Sequence, residues 1–264
     1  MNLSFSELLS KSFRDFKSRK IISILLICFI LTFFFTIFLI YQFYINIVDP
    51  IFDAFYNFLG GHANEIFLIN YLLKFKIFNF ILIVFKYLFI LLKFFAVWFI
   101  LSIIVTPINN LLTSFFFEKI FFEINKLNDY KWKFPIKKNS FFLSIKSSIF
   151  FIFISISINI FLLPMYFILP FANILIFVLV NAYFSGKEMC NGIMVQFFDQ
   201  EDEKFKNFYE NNKNLTYTIG CVTCTSQLIP ILNFFSAGFS IIMVSHLILN
   251  YFKSKKVLVK KIKG

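Results

Sequence analysis

Glycine occurs seven times and proline six times in 264 residues, too rarely for a collagen repeat or a Gly/Pro-rich disordered chain. Four cysteines are too few for a disulfide-stapled secreted module. Charge is also scarce: 26 Lys plus Arg and 14 Asp plus Glu leave a net +12, yet only 15% of residues are charged, against roughly 25% in a soluble domain. Apolar residues fill the space, at 59% with 45 phenylalanines, where a soluble domain carries roughly 45 to 50%. These figures exclude a water-soluble globule and point to an integral membrane protein. Phe, Ile, Asn and Lys are abundant together, as AT-rich codons produce, so the phenylalanines by themselves indicate no activity. The basic surplus does not indicate nucleic acid either. Its residues stand between apolar runs, as the positive-inside rule requires, and are not gathered on one soluble face.

Catalytic signatures are missing as well. The chain has no GxxxxGK[ST], GxSxG or HExxH motif and no paired metal-ligand pattern, so neither an enzyme nor a resident metal or cofactor is expected. The few carboxylates read as lying in polar loops. Cys221-Val222-Thr223-Cys224 is a single CxxC within an apolar arm. Packing of two small hydrophobes is the plainer reading of it, a redox or zinc role the alternative.

What is present is a series of long uncharged runs. Residues 1–18 open with Ser4 and Glu7 at capping-box spacing. Phe5, Leu8, Leu9, Ser12, Phe13 and Phe16 then form one helical stripe, which predicts an amphipathic interfacial helix. Residues 19–48 follow as a first long helix, uncharged over the 28 residues from Ile21 to Val48 and longer than the roughly 20 a span needs. A cleaved signal peptide is not expected, because both the apolar run and its basic leader are too long. Asp49-Pro50 reads as a helix break opening a loop over 49–65 that contains no Lys or Arg. Residues 66–106 read as a second long helix, interrupted by Lys74, Lys76, Lys86 and Lys93. Residues 107–139 read as an interfacial helix, with Leu112, Phe116, Ile120, Ile124 and Leu127 on one face, and a basic loop.

Two further runs differ from simple spans. Ser147 to Gly186 holds 40 uncharged residues with Pro164 and Pro170 about its middle, and Leu215 to Phe252 holds 38, counting His246 as neutral, with Pro230 near its centre. A turn without charge at its tip fits a membrane hairpin when its freed carbonyls are satisfied by protein or cavity water. Hairpins are therefore expected over 140–186 and 215–252, either partly inserted or fully crossing. Between them 187–214 reads as a surface helix with Phe198, Phe205 and Phe208 on one face, and 253–264 as a basic tail. The fold class is an all-α integral membrane protein in a single membrane domain, with two long transmembrane helices, two Pro-tipped hairpins and amphipathic interfacial helices. Five basic residues in the first 20, seven from Lys119 to Lys146, four from Lys187 to Lys213 and six from Lys253 to Lys263 place all four regions, and so both termini, in the cytoplasm.

Polar residues within the apolar runs are the candidate functional groups. Lys86 reads as snorkelling to an interface, whereas Lys93 either snorkels or faces a polar cavity. His246 is either a hydrogen-bonded structural residue or a proton shuttle or carboxylate partner. Arg19 and Lys20 stand at the N-terminus of the first long helix, where unbonded N–H groups and the helix dipole favour an anion. Ordinary flanking charge is the other reading.

In order and motif the chain resembles the CysZ sulfate-permease and etoposide-induced membrane protein family over nearly its full length. The likeness rests on the amphipathic start, the two long helices, and TPINNLL with Pro107 and Asn109 in place of a Pro-Phe-Asn motif. IPILN with Pro230 and Asn233, and Asn181-Ala182-Tyr183 at the first hairpin's exit, complete it. Where family permeases carry a Gly-Leu-Arg type motif for sulfate, this chain has Ser18-Arg19-Lys20. It also has Ser114 and Phe117 where the permeases often place acidic residues, with Glu118 displaced by one. The resemblance implies an inner-membrane permease or channel for sulfate or a related small anion, proton coupling being one option, with Arg19 and Lys20 as anion ligands. Pro107, Asn109, Pro230, Asn233, Lys93 and His246 would then shape the pathway. A non-transport membrane scaffold of the same family is the alternative. The implied partners are the anion, the lipid bilayer and further copies of the chain, not nucleic acid.

Overall fold

A computed structural model of the chain describes residues 3–51, 53–54, 84, 87, 109–132, 134–168 and 172–254. The chain divides into two compact units, one of residues 1–32 with 106–264 and one of residues 33–105. Every regular element among the described residues is helical: α1 (Phe5–Phe16), α2 (Arg19–Phe43), a π turn (Tyr44–Val48), α3 (Phe117–Leu127), α4 (Ser140–Ile168), α5 (Asn173–Met194), α6 (Glu203–Gln227) and α7 (Pro230–Ser254). Among the described residues three helical stretches, Arg19–Ile51, Ser140–Leu162 and Phe235–Lys253, are long and apolar enough to cross a membrane. The protein is an all-α membrane protein.

Local sequence explains where the helices start and turn. Ser4 accepts from the Glu7 N–H while the Glu7 carboxylate accepts from the Ser4 N–H, so the capping box that opens α1 is formed. Lys17 and Ser18 bond back to Arg14 and Asp15, closing α1 and letting α2 begin two residues later. Pro230 is the first residue of α7, a position where its missing N–H is not needed and its fixed φ is already helical. Asp49-Pro50, expected to break the helix, does not: the chain stays helical to Ile51. The π turn explains it. The Asp49 N–H bonds to the Tyr44 carbonyl, and the wider turn gives the proline ring room that an α turn lacks.

In the first unit α7 is the central helix, packed on α1, α3, α5 and α6. Ile241 to Leu249 are all buried. Helix α4 lies outside, pairing with α5 while Phe142, Phe150, Phe153 and Phe161 face away from the protein, as suits a lipid-facing helix. Polar side chains hold that pair together. Asn159 and Asn181 exchange amide hydrogen bonds of 2.8 and 3.1 Å, Ser155 donates to Asn181, Asn191 to Ser147, and Ser144 to the Gly192 carbonyl. Between helices in lipid such bonds act as adhesive, because lipid offers no competing partner. Helices α5 and α6 meet backbone to backbone at Gly186 and Gly220. A Cβ on Gly220 would lie 1.8 Å from the Ala182 carbonyl oxygen.

Three expectations from sequence are corrected here. Pro164 does not mark the first hairpin's tip: it lies inside α4, which continues to Ile168, so the chain reverses later, before α5 opens at Asn173. The surface helix expected over 187–214 is shorter than that span: its first residues belong to α5, and a helical piece from Glu203 is divided from the second hairpin's arm by the non-helical Asn212. Helix α5 runs on to Met194, and α6 runs from Glu203 into the second hairpin across a kink at Asn212 (φ −121°, ψ 17°). Phe198, Phe205 and Phe208 are nonetheless all buried, because the loop after α5 brings Phe198 to the same core that the start of α6 enters. In α3 the buried face is Phe117, Ile120, Phe121 and Ile124, with Leu127 exposed. A break at 115–116 restarts the helix and rotates its inward face by about one residue from the 112–116–120 register. The second long helix with Lys86 and Lys93, and the prolines Pro107 and Pro170, lie outside the described residues.

Candidate functional site

Arg19 and Lys20 begin α2, and the first turn of a helix leaves its N–H groups without intrahelical partners. Helix α3 supplies the facing wall: Lys119, Glu123 and Lys126 recur at spacings of four and three, hence on one helical face. Together Arg19, Lys20, Ser23, Ile24, Lys119, Phe122, Glu123 and Lys126 line an open cavity of about 510 Å³. Four cations face one carboxylate there. Lys20 Nζ is 3.5 Å from Glu123 Oε2, a contact of little energy because Lys20 is largely in solvent. The Arg19 guanidinium has no carboxylate or hydrogen-bond partner among the described residues. A water occupies roughly 30 Å³ in the liquid, so the cavity admits a small oxyanion with its hydration. The fork of Arg19, the ammonium groups and the helix N-terminus all favour negative charge at this place. Arg19 and Lys20 were marked from sequence as candidate anion ligands, and both line this cavity. Their α3 partners were not so marked: Lys119 and Lys126 read as the solvent face of an interfacial helix, and only the turn of the chain back onto α2 shows what they face.

The asparagines of the two short motifs meet. Asn109 donates through Nδ2 to the Asn233 carbonyl at 2.6 Å, and Thr32 of α2 donates to Asn109 Oδ1 at 3.3 Å. The Asn233 carbonyl also accepts from Ser236. Asn109 thereby ties α2 to the first turn of α7, beside the reversal that Pro230 follows. Its neighbour Asn110 donates to Glu188 Oε2 at 2.9 Å and accepts from Gln227 at 3.4 Å. Glu188 is buried and has no cation beside it among the described residues. Its other oxygen, Gln227 Oε1 and Asn233 Oδ1 are likewise buried without a hydrogen-bond partner. The resulting polar band inside the unit joins α2, the helical turn at 109–114, α5, α6 and α7. Sequence reasoning missed Glu188, which it placed in a charged surface segment; the signal was its neighbour Met189 and the apolar residues 193–195, which continue a buried face beyond the uncharged run.

His246 is fully buried near the other end of α7 and has a polar neighbour on both sides. Tyr130 Oη lies 3.0 Å from Nδ1, and Asp15 Oδ2 lies 3.1 Å from Nε2. The latter is an ion-pair distance, but the ring N–H is out of line for a well-formed hydrogen bond. With the ring proton on Nε2 toward Asp15, the tautomer this network implies, Tyr130 donates to Nδ1. Asp15 also accepts from Asn128 and from Arg14 Nε. Burial raises the Asp15 carboxyl, but its bonds with His246 and Asn128 outweigh that and hold it below the usual carboxylate value. Burial pushes the Tyr130 phenol up to about 12, with Asp15 adding to the effect. His246 is therefore paired with a carboxylate, the partner that reading the carboxylates as loop residues had hidden. Asp15 shares a helix face with Leu8 and Ser12, seven and three residues away, and all three are buried. Cys221 and Cys224 carry free thiols, and no cluster of three metal-ligating side chains occurs among the described residues.

Comparison with known families finds a match, described as sulfate transporter CysZ/etoposide-induced protein 2.4, over residues 8–237. No curated protein and no solved structure matches the chain.

Proposed function

The chain belongs to the sulfate transporter CysZ/etoposide-induced protein 2.4 family, and from that premise we propose that it is an inner-membrane permease for sulfate or a related small anion, captured at the start of α2. The observation that carries this reading is the cavity in which an Arg19 guanidinium without a carboxylate partner meets Lys20, Lys119 and Lys126 at a helix N-terminus. Arg19 contributes the bidentate fork, the lysines a positive field, and the free N–H groups of the first turn additional donors. Glu123 opposite Lys20 keeps that lysine placed in the unloaded site. Asn109, Asn233 and Pro230 hold α2 against the second hairpin, so that anion occupancy at one end of α2 bears on the polar band beside its middle. Both termini and the basic segments face the cytoplasm in this reading, and the protein works without enzymatic chemistry.

Sulfate affinity and flux of purified protein in liposomes test the reading, with wild type compared to Arg19→Lys. The variant keeps the charge that orients the helix but removes the fork. Losing one charge-assisted hydrogen bond costs about 1.5 to 3 kcal/mol, so affinity falls about ten- to a hundredfold. Equal affinities in a protein that binds sulfate would move the site elsewhere, and absence of flux for any competing small anion would refute the permease.

A further inference from the structure

A second basic cavity lies along the seam between α5 and α6, and it shares no lining residue with the cavity at the start of α2. It encloses about 600 Å³ and is lined by Tyr183 and Lys187 of α5, Gln200 of the connecting loop, and Lys206, Tyr209, Glu210, Lys213 and Tyr217 of α6, among others. The kink at Asn212 opens it: the bend falls one residue before Lys213 and separates the two halves of α6. Three ammonium groups face one carboxylate, and none of the three is in an ion pair among the described residues. The Lys187 amine lies 5.5 Å over the Tyr183 ring and donates to the Tyr183 hydroxyl at 3.4 Å, which leaves that phenolic proton for another acceptor. Tyr209 and Tyr217 spend their hydroxyl protons on the Lys187 and Leu179 carbonyls, at 3.0 and 3.3 Å, and so brace the cavity wall.

Position distinguishes this cavity from a general basic surface. Lys187, Tyr183, Leu179 and Leu175 recur every four residues on α5, so the cation stands at the end of a single ridge. Leu179 is 46% and Leu175 62% exposed. From Lys187 to Leu175 the ridge rises ~18 Å at 1.5 Å per residue, about the hydrocarbon depth of one leaflet, half of a core roughly 30 Å thick. A cationic pocket with hydroxyl donors at one end of an exposed apolar track has the chemistry of an anionic glycerophospholipid. Basic pockets between membrane helices hold such headgroups.

We propose that this groove is a binding site for an anionic phospholipid, whose phosphate sits among Lys187, Lys206, Lys213 and the Tyr183 hydroxyl while one acyl chain lies along Leu179 and Leu175. The site leaves the anion cavity at α2 untouched and does not depend on the permease reading. Native mass spectrometry of the detergent-purified full chain tests it, titrated with phosphatidylglycerol, with phosphatidylcholine of the same acyl chains, and with inorganic phosphate. Wild type retains phosphatidylglycerol in preference to phosphatidylcholine, and millimolar phosphate does not displace it. Lys206→Gln/Lys213→Gln, both exposed and so harmless to folding, binds phosphatidylglycerol about thirtyfold more weakly. Leu175→Ser/Leu179→Ser weakens the long-chain lipid as well. Equal affinity of wild type and the lysine double variant, equal retention of the two lipids, or displacement by phosphate would each overturn the proposal, the last by showing a free-anion site.

Discussion

At the residue scale, the contact that tolerates least is between Gly186 and Gly220. A methyl group on Gly220 would lie 1.8 Å from the Ala182 carbonyl oxygen and 2.9 Å from the Gly186 nitrogen, all backbone atoms that cannot turn aside. Gly238 is a natural control. Its added Cβ would meet Leu25 Cδ2 at 2.1 Å, the end of a side chain that has other rotamers. Overpacking a fitted interior costs about 1 to 3 kcal/mol and occasionally more, and in lipid the closeness of small-residue crossings is itself what holds the helices together. Gly220→Ala should therefore lower the thermal midpoint in detergent markedly, and Gly238→Ala much less. If the two shifts were equal, the α5–α6 backbone contact would not be the constraint described. The lipid groove lies along the same α5–α6 seam, so Gly220→Ala should weaken phosphatidylglycerol binding as well. Glycine spacing alone did not reveal this pair, because 186 and 220 lie on different helices and nothing in either segment records which residue the other opposes.

Elements carry a different lesson, seen best in α1. Its start was legible from Ser4 and Glu7, since a capping box is local chemistry, and its amphipathic stripe from periodicity. Its docking was not, because Asp15 breaks the apolar pattern and only the return of α7 brings His246 to it. The lesson recurs along the chain: uncharged length revealed both hairpin regions, but where they turn depended on helix tolerance for Pro164 and on the join of α6 across Asn212. For α1 the Asp15 bonds have a pH consequence. Its folded-state carboxyl is held below its unfolded value, so the stability it contributes is complete above about pH 4, the usual Asp value, and is lost as pH falls through the lower folded value. Acidification below the usual carboxylate range should then release α1 from α7. A cysteine at the buried Leu8 position, protected from a thiol reagent at neutral pH, should be labelled after an acid pulse with reagent reactive in acid. Asp15→Asn should be labelled more readily at neutral pH and show little further change with acid. Identical protection of both proteins at every pH would mean that apolar packing alone holds α1.

Across the whole molecule, charge and membrane position are linked by one argument. The first unit holds the N-terminal helix, α3 with its following basic loop, and the helices α5 and α6, and it contains 22 of the 26 basic residues. Lys137 bonds to Asp199 at 2.7 Å, and its N–H bonds to the Gln196 carbonyl, so the loop before α4 and the loop after α5 lie at the same end of the first hairpin. The start of α2 and α3 share the cavity lined by Arg19, Lys20, Lys119 and Lys126, which places the N-terminal basic segment with α3. Packing therefore joins segments that the Lys and Arg count assigns to the same side on independent grounds. The side itself is an expectation from the positive-inside rule, under which basic segments within about 15 to 20 residues of spanning ends stay in the cytoplasm, and labelling tests it. An impermeant thiol reagent applied to intact cells should leave probe cysteines at Lys137 and Lys206 unlabelled and react with one at Asn57, in the 49–65 segment that contains no Lys or Arg. After permeabilisation all three should react. Labelling at Lys137 without Lys206 would break the shared end that the 2.7 Å contact requires, whereas labelling both but not Asn57 would keep the fold and reverse its orientation. In that reversed case the Arg19 cavity would open to the outside, and anion capture would precede entry rather than follow it.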